Sequence, residues 1–459
     1  MDLFDAFSRN DVAEAERLLA EGEDVRARDD DGCSLMHRAC SEGLLAMAKW
    51  LFMNGAAEDI RTQDYGGATP MMAAFANDHE EVWWWLYEVG AAPDIRTRDS
   101  TGYFPMLHAC AGNLSAAKWL YEVGAAEDIR GRNNRGGHPM WVACEGGNQG
   151  LVQWLYEVGA ADDIRVPNSY GSTPMMAACE HGNIETAQWL FEHGAAEDIR
   201  TTHFEGETPM MVACKCGNLR VAKWLFKVGA AADIRTPDEC GWTPMMAACR
   251  VGHLDTAKWL FEVGAADDIR VRDVDGESPM WAACKWRRLE TAKWLYENGA
   301  ADDIRTVTLK GCTTFEAVCS TNFSWGPDRT PTVFWLVLKG AANGDDGHVD
   351  RRVLRRSLQN LGPVTKLLRA TVEQHRTFLH VLAGTLRRSA VEPQRYMDQT
   401  LVGQKKRRRD ECAEPRKRTR GCMLGLLQGQ ELVLSLVADF VGVVRGRELR
   451  NAREAFLAL

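Results

Sequence analysis

Apolar positions along residues 1–343 fall into two helical runs per period, each closed by glycine. In one copy Thr243-Pro244 opens the run Met245-Met246-Ala247-Ala248-Cys249, and Gly252 breaks it. Leu254, Ala257, Leu260 and Phe261 then return at the spacing of a second helix, which Gly264 stops. The small punctuation marks are mechanical. Thr243 is a helix cap, Pro244 sits at the first helical position where a missing N–H costs nothing, and Gly241 permits a tight turn ahead of both. The pattern predicts a turn, a helix, a short loop, a second antiparallel helix and an extended hairpin finger.

This unit recurs with a steady beat. The Ile-Arg pair that ends each finger falls at Ile60, Ile95, Ile129, Ile164, Ile199, Ile234, Ile269 and Ile304, in steps of 35, 34, 35, 35, 35, 35 and 35 residues. A unit of this size cannot bury its own apolar face, so neighbours must close the core between them as a solenoid. The glycines at 32, 67, 102, 136, 171, 206, 241, 276 and 311 mark nine units. Ahead of them, residues 4–21 place Ala13, Leu18 and Leu19 on one face and charges elsewhere, as a polar cap requires. The ninth unit lacks Thr-Pro and carries an insertion around Ser324-Trp325-Gly326-Pro327, so it reads as a degenerate closing repeat.

Thr-Pro at Thr69, Thr173, Thr208 and Thr243, Ser278-Pro279, the small pairs that follow, and the closing Gly-Ala resemble the ankyrin repeat over most of residues 1–343. The resemblance implies an all-α ankyrin-repeat solenoid of antiparallel helix pairs with hairpin fingers. Two departures are regular. The usual Leu-His pair has become Met-Met or Met-Trp in most copies, leaving only His37 at the histidine position, and extra residues in the Glu-Asp-Ile-Arg segment predict longer fingers than usual.

Charge divides the chain. Residues 344–459 carry 23 Lys and Arg against 13 Asp and Glu, a balance of +10, which leaves −19 of the total −9 in residues 1–343. Either the two regions attract each other or they address different partners. Residues 344–390 read as a helical extension, 391–423 as a basic flexible linker, and 424–459 as a C-terminal helical segment, so the array is followed by a short helical C-terminal region. The apolar run 432–444 contains Ser435 and Asp439 and is too short to span a bilayer, and no leader sequence is visible; an intracellular, cytoplasmic or nuclear protein without a membrane segment is expected. Eight of the 14 cysteines share one repeat position (Cys40, Cys110, Cys144, Cys179, Cys214, Cys249, Cys284 and Cys319), which predicts buried, reduced thiols.

Comparing the copies separates structure from use. The tryptophans at 50, 85, 119, 154, 189, 224, 259, 294 and 335 occupy one site on the second helix and read as packing. The acidic pairs before Ile-Arg, such as Asp162-Asp163, read as solvated groups in local ion pairs rather than as metal or catalytic carboxylates. Variation concentrates at the turn between finger and first helix and at the end of the first helix. In ankyrin arrays these two regions line the concave, partner-gripping face, so the resemblance implies partner contacts at Tyr65, Arg98, Arg135, Tyr170, His203, Phe204, Arg250, Lys285, Trp286, Arg287 and Arg288. Glu145, Glu180, His181 and Lys215 vary at the same helix ends. Drift on solvated turns is the competing explanation.

In the tail, Lys405-Lys406-Arg407-Arg408-Arg409 followed by Arg416-Lys417-Arg418 resembles a nuclear localisation signal, read by an import receptor; a nucleic-acid contact and a solvated linker are the alternatives. His375 and His380 lie close together, but no nucleophile elbow, phosphate loop or zinc-ligand spacing accompanies them. The expected function is therefore a non-catalytic adaptor or scaffold with no cofactor, holding a protein partner. A nuclear nucleic-acid-associated protein and, behind it, an enzyme with a targeting repeat module are the other readings.

Overall fold

The structure, a computed structural model, describes residues 9, 11–320, 330–339 and 341. It divides into two compact units, Met1–Val274 and Asp275–Leu459. The division falls inside the periodic region. The insertion around Trp325, the helical extension, both basic runs and the C-terminal segment lie outside the described residues.

In the first unit a capping helix α1 (Val12–Ala20) precedes seven helix pairs. They are α2 (Leu35–Ser41) with α3 (Leu45–Met53), α4 (Pro70–Ala76) with α5 (Glu80–Leu86), α6 (Pro105–Cys110) with α7 (Leu114–Leu120), and α8 (Pro139–Gly146) with α9 (Gln149–Leu155). The last three pairs are α10 (Pro174–Glu180) with α11 (Ile184–Glu192), α12 (Pro209–Lys215) with α13 (Leu219–Lys227), and α14 (Pro244–Val251) with α15 (Leu254–Leu260). The second unit holds α16 (Pro279–Lys285) with α17 (Leu289–Leu295) and α18 (Thr314–Ser320) with α19 (Thr330–Lys339). Within the first unit each first helix packs on the first helix of the next pair, so the methionines, alanines and cysteines of that helix form a continuous core. In α1 the buried face is Ala15 and Leu18, while Ala13 is exposed; the helix is rotated from the face expected for it.

The caps behave as their residue types require. The Thr243 hydroxyl accepts the N–H of Met246 at 3.4 Å, and Gly252 ends α14 at a φ of 96°, a left-handed conformation costly for a side chain with a Cβ. Two helix starts use a histidine ring, His37 at the third helical position completing the box with the Ser34 cap of α2, and His138 as the cap of α8. His37 Nδ1 accepts the Ser34 N–H at 3.2 Å while its Nε2–H donates to Ala68 O at 3.0 Å. His138, standing where other copies have threonine, accepts the Trp141 N–H at Nδ1 and donates from Nε2 to Val166 O at 2.9 Å. Both rings must be neutral to accept at Nδ1, and burial holds both below the ordinary 6.5.

The residues expected to lengthen the fingers coil instead into a short 3-10 turn after every second helix from α3 to α17, as in Ala161–Arg165. This turn corrects the reading of the acidic pairs. In the first unit the aspartate before each Ile-Arg is buried, and its arginine partner comes from the preceding repeat: Arg61 reaches Asp94 at 3.1 Å, Arg96 reaches Asp128 at 3.1 Å, Arg130 reaches Asp163 at 3.2 Å and Arg165 reaches Asp198 at 3.0 Å. Arg26–Asp59, Arg200–Asp233 and Arg235–Asp268 repeat the contact. The first carboxylate stays in water; Asp162 is 83% exposed. Burial outweighs the arginine at Asp94, Asp128, Asp198 and Asp268, whose carboxyls sit above the usual 3.8. Such pairs fix register more than they add stability. The intervening isoleucine completes the joint, with Ile95 under Gly124 and Ile164 under Gly194 of the next repeat.

A second ladder runs along the outer helices. Within the first unit the aromatic residue two positions after each tryptophan up to Trp224 meets the next tryptophan edge-on: Tyr121 and Trp154 at 5.7 Å, Tyr156 and Trp189 at 5.3 Å, Phe191 and Trp224 at 5.8 Å. Seven of the eight shared cysteines are fully buried, with Cys319 half-buried, and burial raises the thiols of Cys40, Cys110, Cys144, Cys179, Cys214, Cys249 and Cys284 far above the ordinary value. No helix among the described residues is long and apolar enough to cross a membrane.

Candidate partner-binding groove

At the finger tips a polar side chain organises the turn. Asn168 Oδ1 accepts the N–H groups of Tyr170 and Ser172 at 2.9 and 3.0 Å, as Asn133 does for Arg135 and Gly137 and Asp238 for Cys240 and Trp242. Successive tips are tied by one backbone bond each, from the N–H after this polar residue to the carbonyl two after it in the preceding finger. Phe204 N–H thus donates to Tyr170 O at 3.0 Å, and Ser169 N–H to Arg135 O at 2.8 Å. The tie sets Phe204, 70% exposed, beside Tyr170, 58% exposed, with the Phe204 ring over Gly171.

Beside these two aromatics lies a groove of about 540 Å³ between the finger tips and the first helices α8, α10 and α12. Tyr103, Arg135, Tyr170, His203 and Phe204 line it from the fingers; Glu145, Glu180, His181 and Lys215 line it from the helix ends; Trp141, Met176 and Val212 supply apolar lining between. Burial holds the Glu145 carboxyl above its ordinary 4.5, with His181 Nε2 at 3.9 Å. Burial likewise raises the Tyr103 hydroxyl. Glu207 is buried and doubly held, by His203 Nε2 at 3.0 Å and Lys215 Nζ at 2.7 Å. His203, Glu205 and Glu207 bring potential ligand atoms within 4.8 Å of one another, but the Lys215 ammonium already supplies the positive charge a metal would bring.

The residues singled out in the sequence are therefore sorted. Arg135, Tyr170, His203 and Phe204 share one groove. Tyr65 is exposed at an earlier finger tip, its ring over Gly32. Arg98 has a packing task instead: its guanidinium lies 4.1 Å over the Phe104 ring and donates to Gly102 O and Arg132 O, as Arg28 does to Gly32 O and Gln63 O. Arg250 stacks on Trp242 at 4.7 Å. In the second unit Lys285 lies 4.1 Å over Trp281, Trp286 and Arg288 are half-buried, and Arg287 holds a φ of 63°. Trp141 and Glu207 were missed. Trp141 had a signal, since it replaces the methionine of Met176, Met211 and Met246; Glu207 had one as well, since its register varies through Ala68, Tyr103, Gly137, Ser172, Trp242 and Glu277. A further hollow of about 740 Å³ near Lys49, His79 and Trp84 contains none of the positions singled out.

A family model for ankyrin repeats, three copies long, matches residues 3–99, 160–238 and 228–306, which together exceed half of the chain. The unmatched stretch between 99 and 160 contains the pairs α6 with α7 and α8 with α9, built like their neighbours, so the array is continuous where the match lapses. No curated protein matches the chain. With the helix pairs, the finger turns and this match in agreement, the chain belongs to the ankyrin-repeat family.

Proposed function

We propose that this chain is a non-catalytic scaffold that holds a protein partner along the groove between the finger tips and helices α8, α10 and α12. Ankyrin repeats are generally protein–protein interaction modules, and the reading rests on one observation: Tyr170 and Phe204, two large rings tied side by side on consecutive fingers, are mostly exposed beside a formed groove. Exposed aromatics on a rigid frame are the side chains that anchor protein interfaces, because they bury much area while losing little freedom. Among the described residues the buried aspartates pair with arginines and His37 and His138 serve helix starts; Ser34 Oγ lies 2.9 Å from His37 Nδ1, but the pair is buried inside the cap of α2, away from the groove.

The test is affinity capture with the full chain and with the Tyr170→Ala/Phe204→Ala double variant, read by quantitative mass spectrometry. The proposal expects at least one protein captured by the wild type to fall about tenfold or more with the variant. Equal recovery of every captured protein overturns it. For the basic runs at 405–409 and 416–418 we propose recognition by an import receptor, supported by their spacing. Replacing 405–409 by glutamine and imaging the full chain checks it, an unchanged distribution being the contrary result.

A further inference from the structure

Three features of the groove point to the chemistry of its occupant, and the inference rests on the groove being the partner site. The first is charge. Glu145, Glu180, Glu205 and Glu207 face two cations, Arg135 and Lys215, and Lys215 is consumed by Glu207. Three carboxylates therefore remain against one guanidinium, and an acidic segment entering here meets net repulsion while a basic one meets attraction. The second is the lining. Tyr103, Trp141, Tyr170 and Phe204 contribute aromatic rings to the same groove, and ring faces attract a guanidinium or ammonium, more strongly where water is thin. Glu145 is half-buried, so a cation beside it is less screened than on open surface.

The third feature is size. At about 540 Å³ the groove is in the range of formed ligand sites and has room for more than one side chain, which suits an extended peptide better than a small amine.

We infer that the groove binds an extended segment of the partner protein through an arginine or lysine side chain set between its aromatic rings and Glu145. Arginine is preferred over lysine, because its planar guanidinium stacks on a ring and forks to a carboxylate at once.

The probe is a fluorescein-labelled nonapeptide of glycine and serine with two arginines two residues apart, titrated against the full chain at physiological salt by fluorescence anisotropy. Versions with lysine, glutamine or glutamate at the two positions accompany it. The arginine peptide is expected to bind, the lysine peptide more weakly, and the glutamine and glutamate peptides at least tenfold more weakly. Glu145→Gln and Tyr170→Ser each weaken the arginine peptide about tenfold. Glu262→Gln, an exposed carboxylate on the second-helix side, leaves it unchanged. Tyr170 is largely exposed, so its variant tests the site without core damage. The inference is overturned if the glutamine peptide binds as well as the arginine peptide, or if Glu262→Gln weakens binding as much as Glu145→Gln, the mark of a diffuse field. If the arginine peptide fails to bind but the double variant above still loses its captured protein, the cationic occupant is refuted and the groove reading stands. If captured proteins are indifferent to the double variant as well, both fall.

Discussion

Asp163 and Glu207 are both buried carboxylates with a basic partner, yet they belong to different kinds of place. Asp163 is one of a series: the same aspartate meets the same arginine of the preceding repeat from Asp59 to Asp268. Glu207 is held from two sides by His203 and Lys215 in the lining of the groove; Glu277 repeats the lysine half with Lys285 at 3.7 Å, but only this repeat has a histidine at the register of His203, so the two-sided clamp is made once. Chemistry alone does not tell them apart, since both are desolvated and paired. Recurrence does. An arrangement made at every joint answers a demand of the joint, whereas one made at a single repeat answers something that only that repeat meets.

If this division is right, the two regions respond oppositely to substitution. Ile234 belongs to the recurring set, 5% exposed and packed under Gly264 of the next repeat. Ile234→Ala is expected to lower unfolding stability by about 3 kcal/mol, from lost burial and the cavity left behind. Partner and peptide binding by the folded variant should not change. Tyr170→Ala should do the reverse, leaving stability within about 0.5 kcal/mol of wild type while binding is lost. Urea titrations beside anisotropy measurements decide it; loss of both properties in both variants would erase the distinction.

Acidification probes the same contrast through the two histidines at helix starts, single-copy residues that do the capping work threonine and serine do in most other repeats. Their folded-state pKa values are depressed by burial, so the unfolded chain takes up protons first. The stability due to the neutral rings is complete above about pH 6.5 and is lost as pH falls from there toward the depressed values. Raised aspartates of the ladder act with the opposite sign, but their window opens closer to the ordinary 3.8. His138→Thr restores the cap used at Thr173 and Thr208. At pH 7 it should change stability by no more than about 1 kcal/mol. The wild type's advantage, if any, should shrink or reverse as pH drops below 6.5, followed by thermal unfolding across pH 5–7.5. A constant difference across that range would mean His138 does not titrate between the two states.

Much of the framework was legible because the beat is written in residue types whose local roles are nearly unique: threonine-proline caps, turn glycines, the cysteine and tryptophan positions. The joint between repeats was less so. Arg61 is two residues from Asp59 and 33 from Asp94, and nothing in the sequence says that it reaches forward; the 3-10 turn decides, burying the aspartate and leaving the arginine free to span to the next unit. In the groove, variation found Tyr170 and Phe204 as separate positions. That they are neighbours follows from the backbone tie between fingers, a contact made by atoms every residue has. Arg98 shows the converse hazard, a variable residue whose guanidinium is spent holding two fingers together.

The smallest effects come from two places where the beat itself is broken. In seven pairs the chain turns between the helices through a left-handed residue, glycine at Gly43, Gly147, Gly182, Gly217 and Gly252, but Asp78 and Arg287 in two copies, at φ of 60° and 63°. A side chain with a Cβ pays for that conformation, and arginine pays more than aspartate, which tolerates it through local polar contacts. Arg287→Gly is therefore expected to raise stability by up to about 0.5 kcal/mol, the relief of strain less the added freedom of glycine in the unfolded chain and less the arginine side chain's own contacts. Asp78→Gly should give a smaller gain or none, because the Asp78 carboxylate also accepts from Asn113 of the next repeat and that bond would be lost. The order of the two variants is the test. Were Asp78→Gly the more stabilising, strain at this turn would not depend on residue type, and the arginine at 287 could not be counted among the departures that cost the framework something to keep.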